Sequence, residues 1–155
     1  EGHLDQSLFA RDILLEKKGP PPEINLFNEK NNGETILKLI EESLVKSAHD
    51  VSLGGIITAL SKMSIRGNKG FKLDKLKILM NKFEYFFGED QGRYILEISK
   101  DNLKKVETIL KENSVHCDNL GIVTSKEIII DNEPILSVDE LIQSNTKWLK
   151  EYMVQ

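Results

Sequence analysis

Between Arg93 and Tyr152 the apolar residues switch between alternation and helical spacing, and no all-helical or all-strand fold satisfies both patterns. Tyr94, Leu96 and Ile98 alternate against Ile95 and Glu97, which predicts a strand from Arg93 to Ser99. Leu103, Val106 and Leu110 then recur at helical spacing, so a helix reaches Glu112 with Asp101 as its cap. Val115 to Val123 and Lys126 to Asp131 read as two further strands. Asp131-Asn132-Glu133-Pro134 reads as a turn and Ile135-Leu136 as a short return strand. Ser137, with Glu140 three residues on, is a capping-box signature. It opens a last helix carrying Val138, Leu141, Ile142, Trp148, Leu149 and Tyr152 on one side. Helices packed on a sheet bury both kinds of face, so the order predicts an α/β or α+β fold.

The first half is less regular. Asp5 to Glu16 reads as a helix that stops before Gly19-Pro20-Pro21-Pro22, because proline lacks the amide donor a helix needs. A second helix is expected from Leu26 to Leu44, with Ile36, Ile40 and Leu44 on its apolar face. Val45 to His49 is a short strand, and Gly54-Gly55 opens a third helix through Met63. Between Leu73 and Phe87 the period is ambiguous, and a strand followed by a helix is expected there. The proline run divides the chain into residues 1–24, a helix and linker, and residues 25–155, the domain proper.

Composition removes several function classes. The chain has 155 residues, 39% hydrophobic and 30% charged, with 21 Lys+Arg against 25 Asp+Glu and a net charge of −4. A chain of this size buries about 70% of its unfolded surface and needs neither disulfide nor metal to hold a core. The mild acidity argues against a nucleic-acid binder, which carries a basic face. Apolar runs such as Ile128 to Ile130 fall far short of the ~20 residues of a membrane span. No secretory signal opens the sequence. Cys117 has no internal disulfide partner, which fits a reducing, cytoplasmic compartment. His3, His49 and His116 are scattered, and adjacent residues on a strand face opposite ways, so His116 and Cys117 make no metal pair.

Two segments carry more chemistry than scaffolding requires. The first, His49-Asp50-Val51-Ser52-Leu53-Gly54-Gly55, lies where a strand hands over to a helix, a place where amides and helix dipole favour phosphate. It has neither a Walker ending nor a dinucleotide fingerprint, and from spacing alone capping by Asp50 or Ser52 with tight packing at Gly54 and Gly55 is the favoured explanation. The second, Phe87-Gly88-Glu89-Asp90-Gln91-Gly92-Arg93-Tyr94, sets two carboxylates, an amide and a guanidinium between glycines. Glu89 and Asp90 suit a cation, Gln91 suits hydroxyls or an amide, and Arg93 suits a phosphate or a neighbouring carboxylate. Both segments are polar, glycine-flanked and at strand ends, so they are expected side by side.

Taken in order with Gly2-His3-Leu4, Gln6-Ser7-Leu8, Gly19-Pro20-Pro21-Pro22, Asn32-Gly33 and Leu120-Gly121-Ile122-Val123, these segments resemble the carboxy-terminal domain of the aminoimidazole ribonucleotide (AIR) synthetase superfamily. Within it the chain resembles the last domain of the phosphoribosylformylglycinamidine synthases. The family usually carries an acidic residue where Leu53 stands.

The resemblance implies a three-layer α/β/α domain like that of AIR synthetase, with a partly ferredoxin-like mixed sheet. It implies an ATP-dependent carbon–nitrogen ligase of purine biosynthesis. ATP phosphorylates the amide oxygen of formylglycinamide ribonucleotide, and ammonia then displaces phosphate to give the amidine. ATP and Mg2+ serve the full-length enzyme, a glutaminase subunit and a small accessory subunit supply ammonia, and the catalytic histidine lies in preceding domains outside this sequence. No catalytic residue is expected here. Nucleotide or ligand contacts are carried over onto His49, Asp50, Ser52, Gly54, Gly55, Glu89, Asp90, Gln91 and Arg93. The expected role is to complete a nucleotide-holding or structural half, with the isolated piece inactive and prone to self-associate through an apolar docking face. The alternatives are an AIR synthetase, selenophosphate synthetase or thiamine-phosphate kinase domain, or a non-catalytic module docking through its last helix.

Overall fold

A computed structural model describes residues 3–16, 18–73 and 81–154. Six helices and six strands occur among them: α1 (Leu8–Asp12), α2 (Leu26–Glu41), β1 (Val45–Asp50), α3 (Gly55–Gly67), β2 (Gly70–Leu73), α4 (Lys82–Phe87), β3 (Tyr94–Ile98), α5 (Lys100–Glu112), β4 (Gly121–Thr124), β5 (Glu127–Ile130), β6 (Glu133–Ser137) and α6 (Val138–Met153). The mixed α/β class expected from the sequence is the one adopted. The strands fall into two sheets, an antiparallel β1-β3 pair and a four-stranded sheet ordered β4-β2-β5-β6. The chain divides into two compact units, Glu1–Ala59 with Ile78–Asp118, and Leu60–Lys77 with Asn119–Gln155.

In the first unit, β1 and β3 pair with His49 opposite Ile95 and Asp50 opposite Tyr94. Ile36 and Leu39 of α2 meet Leu44 and Val106, Ile109 and Leu110 of α5 in one buried cluster, with Val45, Leu96, Ile98 and Val115 packed against it. Helical spacing brings these positions to one face of each helix, and burying a leucine or valine contributes about 1.5–3 kcal/mol. Phe9, Phe83 and Phe87 stack, with ring centroids of Phe9 4.6 Å from Phe87 and 5.5 Å from Phe83, and so hold α1 on α4.

Several boundaries differ from the sequence reading. The first helix covers only Leu8–Asp12, not Asp5 to Glu16, because Gln6 and Leu15 adopt positive φ on either side of it. Residue Ser99, not Asp101, is the N-cap of α5. The strand expected from Val115 is confined to Gly121–Thr124. In place of the earlier residues a polar run holds an Asn119 side chain that accepts from the Gly121 amide at 3.0 Å. The strand-then-helix expectation between Leu73 and Phe87 is met at its two ends, and residues 74–80 lie outside the described residues.

In the second unit, β2 runs antiparallel to β4 and parallel to β5, with Phe71 opposite Ile128 and both buried. Asp131 and Asn132 both have positive φ, at 55° and 68°, the two-residue hairpin conformation whose twist matches that of strands. β6 therefore begins at Glu133 and takes in Pro134, which an edge strand tolerates. Ser137 caps α6 in a full capping box. The carboxy-terminal half of that helix is exposed, with Trp148 at 62%. Among the described residues no helix is long and apolar enough to cross a membrane.

The box predicts a measurable cost. Ser137→Ala is expected to lower stability by about 1 kcal/mol, read from urea denaturation. The Ser137 amide and hydroxyl hold the Glu140 carboxyl below its usual range. Its contribution is therefore complete above the ordinary glutamate pKa of about 4.3 and is lost as pH falls through the lower folded value. The difference between wild type and Glu140→Gln is expected to shrink in that acidic window.

Candidate functional site

The two chemistry-bearing segments meet, as their polar, glycine-flanked character suggested. Continuing the β1-β3 pairing past Asp50, the Val51 amide donates to the Arg93 carbonyl at 2.8 Å. Beyond Val51 the chain turns sharply, with Gly54 at φ +82° and Gly55 at φ +70°, and the Gly55 amide donates to the Ser52 carbonyl at 3.0 Å. A Cβ on Gly55 would lie 2.5 Å from the Phe86 carbonyl oxygen, so glycine there is required by both conformation and space. That close approach seats the start of α3 against the end of α4.

The acidic loop turns inward. Glu89 Oε1 accepts from the Leu8 amide at 2.8 Å and from the Gly54 amide at 2.8 Å. The Glu89 amide donates to the His3 carbonyl at 3.2 Å. Asp90 is buried, and its two carboxylate oxygens accept from the His3 amide at 3.2 and 3.3 Å. Arg93 Nη2 lies 3.3 Å from the Asp90 carboxylate and donates to the Gly88 carbonyl. Arg93 Nε is buried with no acceptor among the described residues. Burial pulls the Arg93 pKa down while Asp90 and Tyr85 push it back up. Gly92, at φ +66°, offers its carbonyl to Asn32 Nδ2 at 3.0 Å, which ties the loop to α2.

The remaining candidates face outward. Asp50, Ser52, Leu53 and Gln91 are exposed. His49 is half-buried, and its Nδ1 lies 2.6 Å from the Asp50 carbonyl. A carbonyl accepts only, so Nδ1 carries the proton and Nε2 is left as an acceptor in the neutral ring. The segment thus presents an imidazole, a carboxylate, a hydroxyl and an amide, a set suited to hydroxyls and phosphate oxygens. Leu53 adds an exposed apolar side chain beside them.

Other chemistry is limited. Among the described residues no group of three or more His, Cys, Asp or Glu converges to hold a metal. With Glu89 Oε1 and the Asp90 oxygens engaged by amides and a guanidinium, this loop does not present the pair of open carboxylates that suits Mg2+. Cys117 is exposed. Desolvation around the sulfur, with Glu107 and Asp118 nearby, pushes its thiol up, away from the thiolate form that reacts. Surface hollows occur at Glu127 with Pro134–Ser137 and Glu140, and at Glu23, Ile24, Asn25, Leu26 and Asn28, and no residue of the two segments lines either. The sequence reading missed Leu8, His3 and Asn32 as residues that build the site. The Gln6-Ser7-Leu8 run that leads into α1 is visible in the sequence, but its use of backbone amides is not.

Comparison with known proteins agrees with this architecture. Residues 6–131 match the family model of the AIR synthase related protein, C-terminal domain. The chain is 69% identical over 153 residues to the phosphoribosylformylglycinamidine synthase subunit PurL of Pelagibacter ubique, covering 99% of this chain and 21% of that protein. It is 35% identical over 152 residues to the subunit of the same name from Rhodopseudomonas palustris, again spanning 21% of its length. Among solved structures it shares the fold of T. maritima PurL complexed with FGAR, at a TM-score of 0.69 and 24% identity over 86% of this chain and 24% of that one. PurLQS from Thermotoga maritima gives a TM-score of 0.64 at 22% identity, over 89% of this chain and 24% of that one. The chain therefore spans about a fifth of the curated relatives it matches and belongs to the AIR synthase related protein, C-terminal domain, family.

Proposed function

We propose that this chain is the carboxy-terminal domain of a phosphoribosylformylglycinamidine synthase. The observation that carries the reading is 69% identity to the Pelagibacter ubique subunit across 99% of this chain. The parent reaction is ATP-dependent carbon–nitrogen ligation in purine biosynthesis. The amide oxygen of formylglycinamide ribonucleotide takes the terminal phosphoryl group of ATP, and ammonia nitrogen bonds to the carbon as phosphate departs. Amidine, ADP and phosphate result. Mg2+ serves this step through residues of the longer chain, and a glutaminase subunit with a small accessory subunit supplies ammonia in the cytoplasm.

Within that enzyme the domain is a structural or nucleotide-site-completing part. Residues 1–24 form the approach from the preceding domain, and their α1 portion packs onto residues 25–155, the domain itself. His49, Asp50, Ser52 and Gln91 are the groups offered to a nucleotide or ribonucleotide. Gly54 and Gly55 shape the turn that presents them. Glu89, Asp90 and Arg93 act from behind, through the hydrogen bonds that hold the turn and the loop together. The piece alone does not turn over.

The test is release of ADP dependent on ATP and formylglycinamide ribonucleotide, with ammonium as nitrogen donor. It is run on this chain, on the remaining portion of the parent subunit, and on the two mixed. Turnover only on mixing supports the reading. Equal turnover by the remaining portion alone contradicts it.

A further inference from the structure

We propose that Glu89 is a positioning residue that couples the amino-terminal segment to the glycine turn opening α3, so that docking of Ser7-Leu8 sets the shape of the turn presenting Asp50 and Ser52. The inference rests on the reading that this turn belongs to the ligand-facing site.

A single carboxylate oxygen carries the coupling. Glu89 Oε1 accepts at 2.8 Å from both Leu8 and Gly54, residues separated from it in sequence by 81 and 35 positions. Hydrogen bonds to an ionised acceptor are about twice as strong as neutral ones. Because one oxygen serves both donors, a shift of either amide moves the acceptor that the other uses.

The two ends differ in what holds them. On the amino-terminal side, the Glu89 amide donates to the His3 carbonyl at 3.2 Å, and the His3 amide donates to Asp90. Ser7 is buried, and its hydroxyl accepts from the Ala10 amide at 3.1 Å. That end is fastened at several points. On the turn side, Gly54 and Gly55 stand consecutively at φ +82° and +70°. Glycine has little intrinsic preference between left- and right-handed backbone, so the turn takes its shape from its own Gly55–Ser52 bond and from bonds made to it from outside. The Gly54 amide to Glu89 is such a bond.

The sequence offers a clean way to cut one donor. Leu8 is the first helical residue of α1, and the preceding Ser7 is extended, at φ −72° and ψ 162°. Proline is accepted at the first helical position and requires an extended residue before it. Leu8→Pro therefore deletes the amide donor with the local backbone kept, whereas Leu8→Ala removes the side chain and keeps the donor.

Amide hydrogen exchange of the intact protein, followed by NMR, reads the Gly54 amide, with the buried Val106 amide as reference for global opening. Glu89→Ala is expected to speed exchange about tenfold at Gly54 and at Leu8 together. Glu89→Gln, which keeps an acceptor oxygen without the charge, is expected to restore part of the protection at both. Leu8→Pro is expected to speed Gly54 exchange several-fold over Leu8→Ala, with Val106 unchanged. Equal Gly54 exchange in the two Leu8 variants overturns the coupling, and this pair decides the matter even if Glu89→Ala fails to fold. Because the readout needs no ligand, the proposed activity and this coupling fail or stand independently.

Discussion

Gly55→Ala is expected to lower the stability of the protein by about 3 kcal/mol, read as a shift in urea midpoint at constant slope. Two costs add. A left-handed conformation costs an L-residue about 1–2 kcal/mol, and Gly55 sits at φ +70°. The new Cβ would also lie 2.5 Å from the Phe86 carbonyl oxygen and 2.8 Å from the Cα of Phe87. Those are backbone atoms, which cannot swing aside as a flexible side chain would. Relief requires α4 to move, and with it the start of the loop that holds Glu89 and Asp90. Gly67→Ala is the control. It lies at the end of α3 with open space around its Cβ, and a change within about 0.5 kcal/mol is expected. Equal midpoints for the two variants would show that the α3–α4 contact is looser than described.

The second large effect is in the core. Leu39→Ala is expected to cost about 3–4 kcal/mol, because the side chain is 0% exposed among Ile36, Val106 and Leu110 and its loss leaves a cavity that the sheet and two helices cannot fully close. Leu37, two residues earlier on the same helix, is 55% exposed, and Leu37→Ala should change stability by less than about 0.5 kcal/mol. Similar losses at both positions would contradict the assigned face of α2.

Much of this fold was legible because local chemistry and tertiary role coincide. The alternation at Tyr94 to Ile98 became β3, and Ser137 with Glu140 closed the capping box that starts α6. Legibility failed where an apolar residue faces outward. Leu15, at helical spacing from Leu4, Leu8 and Phe9, carried the first helix on to Glu16, yet it is exposed and leaves the helical region. It failed again at Val115 to Leu120, where apolar ends hid a polar middle that pairs locally.

The site divides along the same line. That the two segments adjoin followed from their place at strand ends. What the carboxylates do there did not follow, because their partners are main-chain amides at His3, Leu8 and Gly54, and every residue except proline carries such a donor. Residue identity marks a possible acceptor but not a distant backbone donor. Glu89 and Asp90 therefore look like ligands for a cation in the sequence and serve as internal fastenings in the fold.

The same fastenings bear on the proposed function, since they fix the turn and loop on which the exposed Asp50, Ser52 and Gln91 stand. A domain that keeps this framework should replace its counterpart in a related enzyme. The most direct measurement exchanges the matching fifth of the Pelagibacter ubique subunit for this sequence. ADP release by the purified chimera is then followed with ATP, formylglycinamide ribonucleotide and ammonium. The account predicts turnover comparable to the parent. A folded, monodisperse chimera without turnover, beside an active parent, would contradict it.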